Sequence, residues 1–482
     1  MKNNGTIKIP SPLLSFVPVA VLVGLLAVAI PVFAGETLNG VSQIVLLIAS
    51  AVCCLIAVFC CGTRWETIET AIANNIAGVS SALLILLLIG ALSGSWMVSG
   101  VIPALIYYGT KIIHPDFFLV ATCIVCALVS VMTGSSWTTV ATIGIALFGI
   151  GKVQGFDEGW IAGAIISGAY FGDKISPMSD TTVLASSVTG TPMFQHIKYM
   201  MTTTIFSMAV TLAIFLVAGF MFETTPLFDI TEFTDALSQT YNISLWLLLV
   251  PGIMVVLIIK KIPPVITLFL SAMAAGVAAI IFQPELLHQI TGSTTKNIAS
   301  IFKGVMMTFY DSTQIETGNA ILNKLTATRG MSGMMNTVWL IICATCFGGA
   351  MTASGMLASI TSVFIRFVKG TTGLVSSTIA AGLLLNMCVA DQYLAIILTG
   401  DMLRNVYSQK GYKTCLLSRT IEDGVTVTSP LIPWNVCGMT QSTVLGVSTL
   451  TYLPYCFFNL LSPLVSILVA ATVKRRTKNE EL

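Results

Sequence analysis

The residues Gly172-Asp173-Lys174-Ile175-Ser176-Pro177-Met178-Ser179-Asp180-Thr181-Thr182 follow directly on an apolar, small-residue segment, Trp160–Phe171. A charged side chain in an apolar span costs about 3 kcal/mol or more, so two aspartates here require a reason. Gly172 and Pro177 both oppose a continuous helix. Broken backbone at membrane depth is tolerated only inside protein or beside a water-filled cavity. Such a break exposes carbonyls that ligate a cation, while the helix N-termini beside it offer N–H groups to anions. Asp173 and Asp180 supply negative charge; Ser176, Ser179, Thr181 and Thr182 supply neutral oxygens. An all-oxygen set suits a hard cation such as Na⁺, by extension of the rule for Ca²⁺ and Mg²⁺. The plainer alternative is a polar loop in which Lys174 pairs with Asp173 or Asp180.

Composition puts that stretch in lipid. Of 482 residues 55% are hydrophobic and 9% charged, where a soluble domain carries about 25% charge. A net charge of +2 and the lack of a basic run with interleaved aromatics speak against a nucleic-acid partner. Twelve cysteines include Cys123/Cys126 and Cys343/Cys346 at CxxC spacing, but each pair sits deep in an apolar run. The three histidines are not interleaved with them, so the cysteines read as small hydrophobes rather than as a zinc or redox centre.

The apolar runs predict an all-α membrane protein of about ten to thirteen spans with broken or re-entrant helices. Clear runs include Val41–Cys61, Val79–Trp96, Phe117–Met132, Leu245–Lys260, Ile262–Phe282 and Leu374–Ile397. Pro12–Phe33 is long for a signal-peptide core and reads as a retained first span. Lys2 and Lys8 at the start, and Lys474, Arg475, Arg476 and Lys478 at the end, predict both termini on the cytoplasmic side of the cell (inner) membrane. The stretch Glu223–Tyr241 lacks Lys and Arg and is expected outside; Lys260 and Lys261 mark the next inside turn.

Polar dipeptides recur in order. Ser99-Gly100 and Ser354-Gly355 are 255 residues apart, and Ser176-Pro177 and Ser429-Pro430 are 253 apart. The helix after His196 heads for the acidic outside loop, and the one after Thr451 for the basic tail. Copies pointing oppositely are the mark of an inverted-topology repeat. The predicted division is an N-terminal span (1–40), a first transport repeat (41–222), an extracellular loop and connector helix (223–261), a second transport repeat (262–473) and a basic tail (474–482).

Further interruptions fit this pattern. Thr133-Gly134-Ser135-Ser136-Trp137-Thr138-Thr139 reads as a re-entrant tip lining a site, or as close helix packing through small residues. Asp391, in Asn386-Met387-Cys388-Val389-Ala390-Asp391-Gln392-Tyr393, lies 253 residues after Thr138. Ser429-Pro430-Leu431-Ile432-Pro433-Trp434-Asn435 breaks a helix again, and Asn435 offers an amide oxygen. Arg419 is expected to neutralise Glu422 or Asp423, which are otherwise candidates for coupling. Glu69 and Glu316, 247 residues apart, fall out of this register.

At these residues the chain resembles the NhaC-type Na⁺/H⁺ antiporters, a branch of the ion-transporter superfamily that includes malate/lactate exchangers. The stretches carrying the resemblance are Leu88–Gly109, Thr133–Thr139, Ser167–Ala185, Ala390–Ile396, Leu417–Asp423 and Pro430–Gly438. One departure is Val183 before Leu184, where the family pattern carries Asn. The resemblance implies secondary transport by an elevator-like or rocking change. It implies Asp173, Ser176, Asp180 and Thr181, with Asp391 and Asn435 from the second half, as cation- and proton-binding residues. The three aspartates are the expected Na⁺ ligands. Ser135, Ser136, Trp137, Thr138, Gln392 and Trp434 are expected to line the substrate path.

The expected activity is exchange of Na⁺ for H⁺ at a shared buried carboxylate site, where a desolvated acid holds either a proton or a cation. No cofactor is expected, Na⁺ being cargo. The alternative is Na⁺- or H⁺-coupled exchange of a small organic anion, such as malate or lactate, or of an amino acid. Besides the ions and the bilayer, a homodimer is an open option for the assembly. An aspartyl-protease reading fails for want of a GxGD motif, and a passive channel fits tandem broken helices poorly.

Overall fold

A computed structural model describes residues 10–33, 40–221, 230–292, 297–315, 326–366 and 370–472, together with Asn323. Helices account for the architecture, and among the described residues the one extended pairing is an isolated bridge between Thr313 and Thr328. Among the described residues nine helices are long and apolar enough to cross a membrane, or up to eleven if each of two bent pairs is one span. That upper bound meets the expected range. The bent pairs are Thr234–Thr240 with Leu245–Ile259, at 89°, and Thr449–Tyr455 with Phe457–Ala470, at 55°. Large apolar side chains stay exposed along the spans, among them Leu55, Val217, Phe220, Leu270 and Ile281. A belt of this kind is stable against lipid and costly against water.

Local chemistry sets the helix limits. Pro115–Thr133 begins with Pro at its first position, where the missing N–H costs nothing, and ends at Gly134 in the left-handed region (φ 66°). Glu158–Ile175 is capped by Asp157, whose Oδ1 accepts from Gly159 N at 2.8 Å. These two helices pack closely because one of them presents glycines. A Cβ added at Gly172 would sit 2.5 Å from Ser130 Cβ, and Ser130 Oγ donates to Ala169 O at 2.6 Å.

The apolar run Leu374–Ile397 is two helices, interrupted at the tip position expected for Asp391. Gly370–Val389 stops at Ala390, which holds φ 59°, and Gln392–Gln409 restarts behind Asp391. An N-cap aspartate outcompetes helix continuation there by accepting from Leu394 N at 2.8 Å.

Helix boundaries recur at a nearly fixed spacing. Ser80–Val98 and Met335–Ala353 begin 255 residues apart, and each is followed by a left-handed glycine, Gly100 or Gly355. Pro115–Thr133 and Gly370–Val389 end 256 apart; Asp180–Thr189 and Val436–Leu445 begin and end 256 apart. This register sets Asp391 opposite Ser135, the N-cap of the other restarted helix, rather than opposite Thr138. Packing is reciprocal. Val41–Phe59 lies on Met335–Ala353, with Gln43 Nε2 donating to Asn336 Oδ1 at 3.1 Å. Pro264–Phe282 lies on Ser80–Val98, with Trp96 Nε1 donating to Ser271 Oγ at 3.2 Å. The buried apolar residues form two clusters accordingly, each drawing on both halves of the chain.

Candidate functional site

Two helix breaks face each other. At the first, Gly134 turns left-handed, Ser135 is extended, and Ser135 Oγ accepts from Thr138 N at 3.3 Å to start the segment Ser136–Val153. A π-helical turn, Val140–Gly144, interrupts that segment. At the second, Glu158–Ile175 ends at Ser176 and a new helix, Asp180–Thr189, starts from its N-cap Ser179. The breaks touch: a Cβ on Gly134 would lie 2.7 Å from the carbonyl carbon and oxygen of Met178.

Asp173 joins them. Its Oδ2 accepts from Ser136 N at 3.1 Å and from Ser136 Oγ at 2.7 Å; its Oδ1 accepts from Ser179 Oγ at 2.5 Å. Ser179 Oγ lies 2.9 Å from Thr181 Oγ1. Three donors, one of them an N–H at a helix start, suit a carboxylate. The second half repeats the geometry with other chemistry. Gln392 stands 256 residues after Ser136 and Ser429 256 after Asp173; Ser429 Oγ donates to Gln392 Oε1 at 2.6 Å. A neutral amide–hydroxyl pair thus occupies the place of the hydroxyl–carboxylate pair.

A cavity of about 540 Å³ opens between these breaks. Its wall includes Ser135, Ser136, Trp137, Thr138, Asp173, Asp180, Thr181, Asp391 and Gln392. Ten of the twelve residues expected at the cation and substrate positions were Asp173, Ser176, Asp180, Thr181, Asp391, Ser135, Ser136, Trp137, Thr138 and Gln392, and of these only Ser176 is off the wall. Its hydroxyl instead donates to Val131 O at 2.8 Å and accepts from Met178 N at 3.2 Å, which closes the turn. The other two, Asn435 and Trp434, are off the wall as well. Asn435 is an N-cap: Oδ1 accepts from Cys437 N at 3.0 Å and Nδ2 donates to Asn386 O at 3.1 Å, so its amide is spent on backbone. Trp434 Nε1 donates to Met387 O at 2.8 Å.

Asp173 and Asp391 are buried, whereas Asp180 is exposed in the first turn of its helix. The three acids therefore share one cavity without all being dry. Residues not anticipated there include Tyr393, Cys437, Met178 and Lys261. Ser179 was seen as an oxygen donor but not as the partner of Asp173; its signal was the N-cap position before Asp180-Thr181-Thr182.

Lys174 does not pair with Asp173 or Asp180. Fully buried, it forms an ion pair with Asp423 and donates to Ser462 Oγ at 3.0 Å. Asp423 also accepts from Thr203 Oγ1 at 3.0 Å, and Arg419 Nε stands 3.6 Å from its Oδ2. Asp423 and Glu422 lie off the cavity wall. Glu69 is exposed on Trp65–Gly78, and Glu316 lies outside the described residues, as do the terminal basic residues and Glu223.

Residues 168–473 match the model of the Na⁺/H⁺ antiporter family. The chain is 33% identical over 415 residues to the Na⁺/H⁺ antiporter NhaC of Bacillus subtilis, covering 86% of this chain and 88% of the relative. It is 35% identical over 416 residues to the malate-2H⁺/Na⁺-lactate antiporter of the same organism, 86% of each. To the arginine/ornithine antiporter ArcD of Halobacterium salinarum it is 32% identical over 462 residues, 95% of this chain and 91% of that one.

Proposed function

We propose, because the chain belongs to the Na⁺/H⁺ antiporter family, that it exchanges Na⁺ for H⁺ through the cavity between its two helix breaks. The observation that carries this reading is the convergence of Asp173, Asp180 and Asp391 on one cavity, beside Ser136, Thr138 and Thr181. Carboxylates and hydroxyls of this kind make a site for a hard cation. A proton on Asp173 or Asp391 removes the charge that holds the cation, so the two ions compete. If only loaded forms change facing, competition becomes exchange. The recurring helix boundaries support two copies of one fold, which we read as inverted in the cell membrane. Lys261 on the cavity wall, next to Lys260, supports an opening toward the cytoplasm under the positive-inside rule.

The test is Na⁺-driven pH change in proteoliposomes carrying Asp173→Asn, Asp180→Asn or Asp391→Asn. We expect Asp173→Asn and Asp391→Asn to abolish exchange and Asp180→Asn, being exposed, to weaken it. Full exchange in all three would end the proposal. A second reading has its own support: a space of about 540 Å³, in the range of small-molecule sites, far exceeds one bare cation, and Trp137 and Tyr393 stand on its wall. Relatives named for malate, lactate, arginine and ornithine exchange fit a co-transported organic solute. Tracer uptake of these solutes, with and without Na⁺, separates the readings.

A further inference from the structure

We infer that Glu422 is a second proton-carrying group, set behind the cation cavity and distinct from the aspartates on its wall. The inference rests on the exchange reading above for its transport role and on geometry alone for its protonation. Glu422 opens the π-helical turn Glu422–Thr426 and is fully buried. Neither carboxyl oxygen has a hydrogen-bond partner among the described residues. Its sequence neighbour Asp423 is the opposite case: it takes the Lys174 ammonium, the Thr203 and Ser462 hydroxyls and the approach of Arg419. One of two adjacent acids is thus the anchor of an ion cluster, and the other is left out of it.

A second buried cation, whose carboxylate contact is the 3.6 Å approach to Asp423, stands on the same helix. Arg419 lies three residues earlier on the same helix, equally buried, with Nε and one terminal nitrogen, Nη2, unbonded and its guanidinium 5.1 Å from the Tyr199 ring. A buried carboxylate that had lost its proton would leave an unpaired charge in the interior, and a neighbouring guanidinium would be drawn onto it. That this contact is open fits an acid carrying its proton, for which the contact has little value. The Thr426 hydroxyl, one turn on, stands near the Glu422 carboxyl without closing a hydrogen bond on it. The charges acting on Glu422 are those of Lys174, Asp173 and Asp423; of the helices packed on its turn, Asp180–Thr189 carries Asp180, and Gln392–Gln409 carries Asp401, Arg404 and Tyr407. Gly370–Val389 and Phe457–Ala470, which also pack on this turn, bring no Asp, Glu, Lys, Arg or His. Asp173 is the link to the cavity, because it stands on the cavity wall and its charge acts on Glu422, so a cation bound beside it changes the field there.

When the turn rearranges, Glu422 loses its proton and Arg419 becomes its counter-ion. Two protons then return for each cation, one from the cavity and one from Glu422. The test uses the full chain with Glu422→Gln, which copies the shape of the protonated acid. Infrared difference spectra between the wild type and this variant, in H₂O and D₂O, should show a protonated-carboxyl C=O band lost on substitution. In proteoliposomes the variant should still move ²²Na⁺, with one proton fewer exchanged per Na⁺ at the reversal point of the gradients. Should Gln upset folding, Glu422→Asp supplies a shifted band instead. An unchanged stoichiometry, or no carboxyl band assignable to Glu422, overturns the inference. Absence of any Na⁺-linked proton flux in the wild type would defeat the exchange reading, while the infrared result would still decide whether Glu422 holds a proton.

Discussion

Asp173 and Asp423 show how residue-level bonding separates acids that sequence alone presents as equals. Asp173 is held by hydroxyl and N–H donors beside a cavity, so its charge can be answered by a mobile cation. Asp423 is held by Lys174, which is as buried as itself. Removing one member of such a pair strands the other charge and costs about 3–5 kcal/mol. Asp423→Asn and Lys174→Met are therefore expected to lower the melting temperature steeply in detergent. The double variant Lys174→Met/Asp423→Leu should recover part of the loss, because an apolar pair replaces a buried ion pair at little net cost while Arg419 still loses the carboxylate it approaches. Equal melting of wild type and both single variants would remove the anchoring role. All of these acids are visible in the sequence, but the true partner of Lys174 is not, because an ion pair across 249 residues leaves no local trace. Likewise Asn435 and Ser176 had the right chemistry for ligands. Only coordinates reveal that backbone groups already use it.

At the scale of elements, helix breaks were the most legible feature. Gly134, Pro177 and Pro433 each announce an interruption, and the structure breaks helices next to each. The break at Ala390 is announced by the Asp391 cap and not by Ala390 itself, since alanine continues helices readily. Register was also off by up to three residues, since a repeated Ser-Pro dipeptide is a weaker ruler than helix ends. Gly134 is where the two breaks depend on each other. An alanine there meets a left-handed backbone costing about 1–2 kcal/mol and a Met178 peptide 2.7 Å away. Gly134→Ala should reduce exchange by at least about tenfold, the equivalent of 1.4 kcal/mol. Gly24→Ala, with open space around its added methyl, should leave transport unchanged. Comparable rates for the two variants would show that the breaks need not touch.

For the whole molecule, composition gives the membrane setting, and apolar runs long enough to span as helices give the all-helical class, since lipid-exposed backbone has few other solutions. What composition hid is the reciprocal packing, in which early helices of one half lie on later helices of the other. That arrangement brings Asp391 to the same cavity as Asp173 across 218 positions of sequence. The central claim concerns that meeting: a metal cation and a proton exclude each other there. It is tested most directly by adding Na⁺ to the purified protein in weakly buffered detergent solution while recording released protons and Na⁺ affinity across pH. The account predicts saturable proton release and, while the protonated form dominates, apparent Na⁺ affinity weakening about tenfold per unit fall in pH. Both effects should be lost in Asp173→Asn/Asp391→Asn. Na⁺ binding that releases no protons and keeps one affinity at every pH would contradict it.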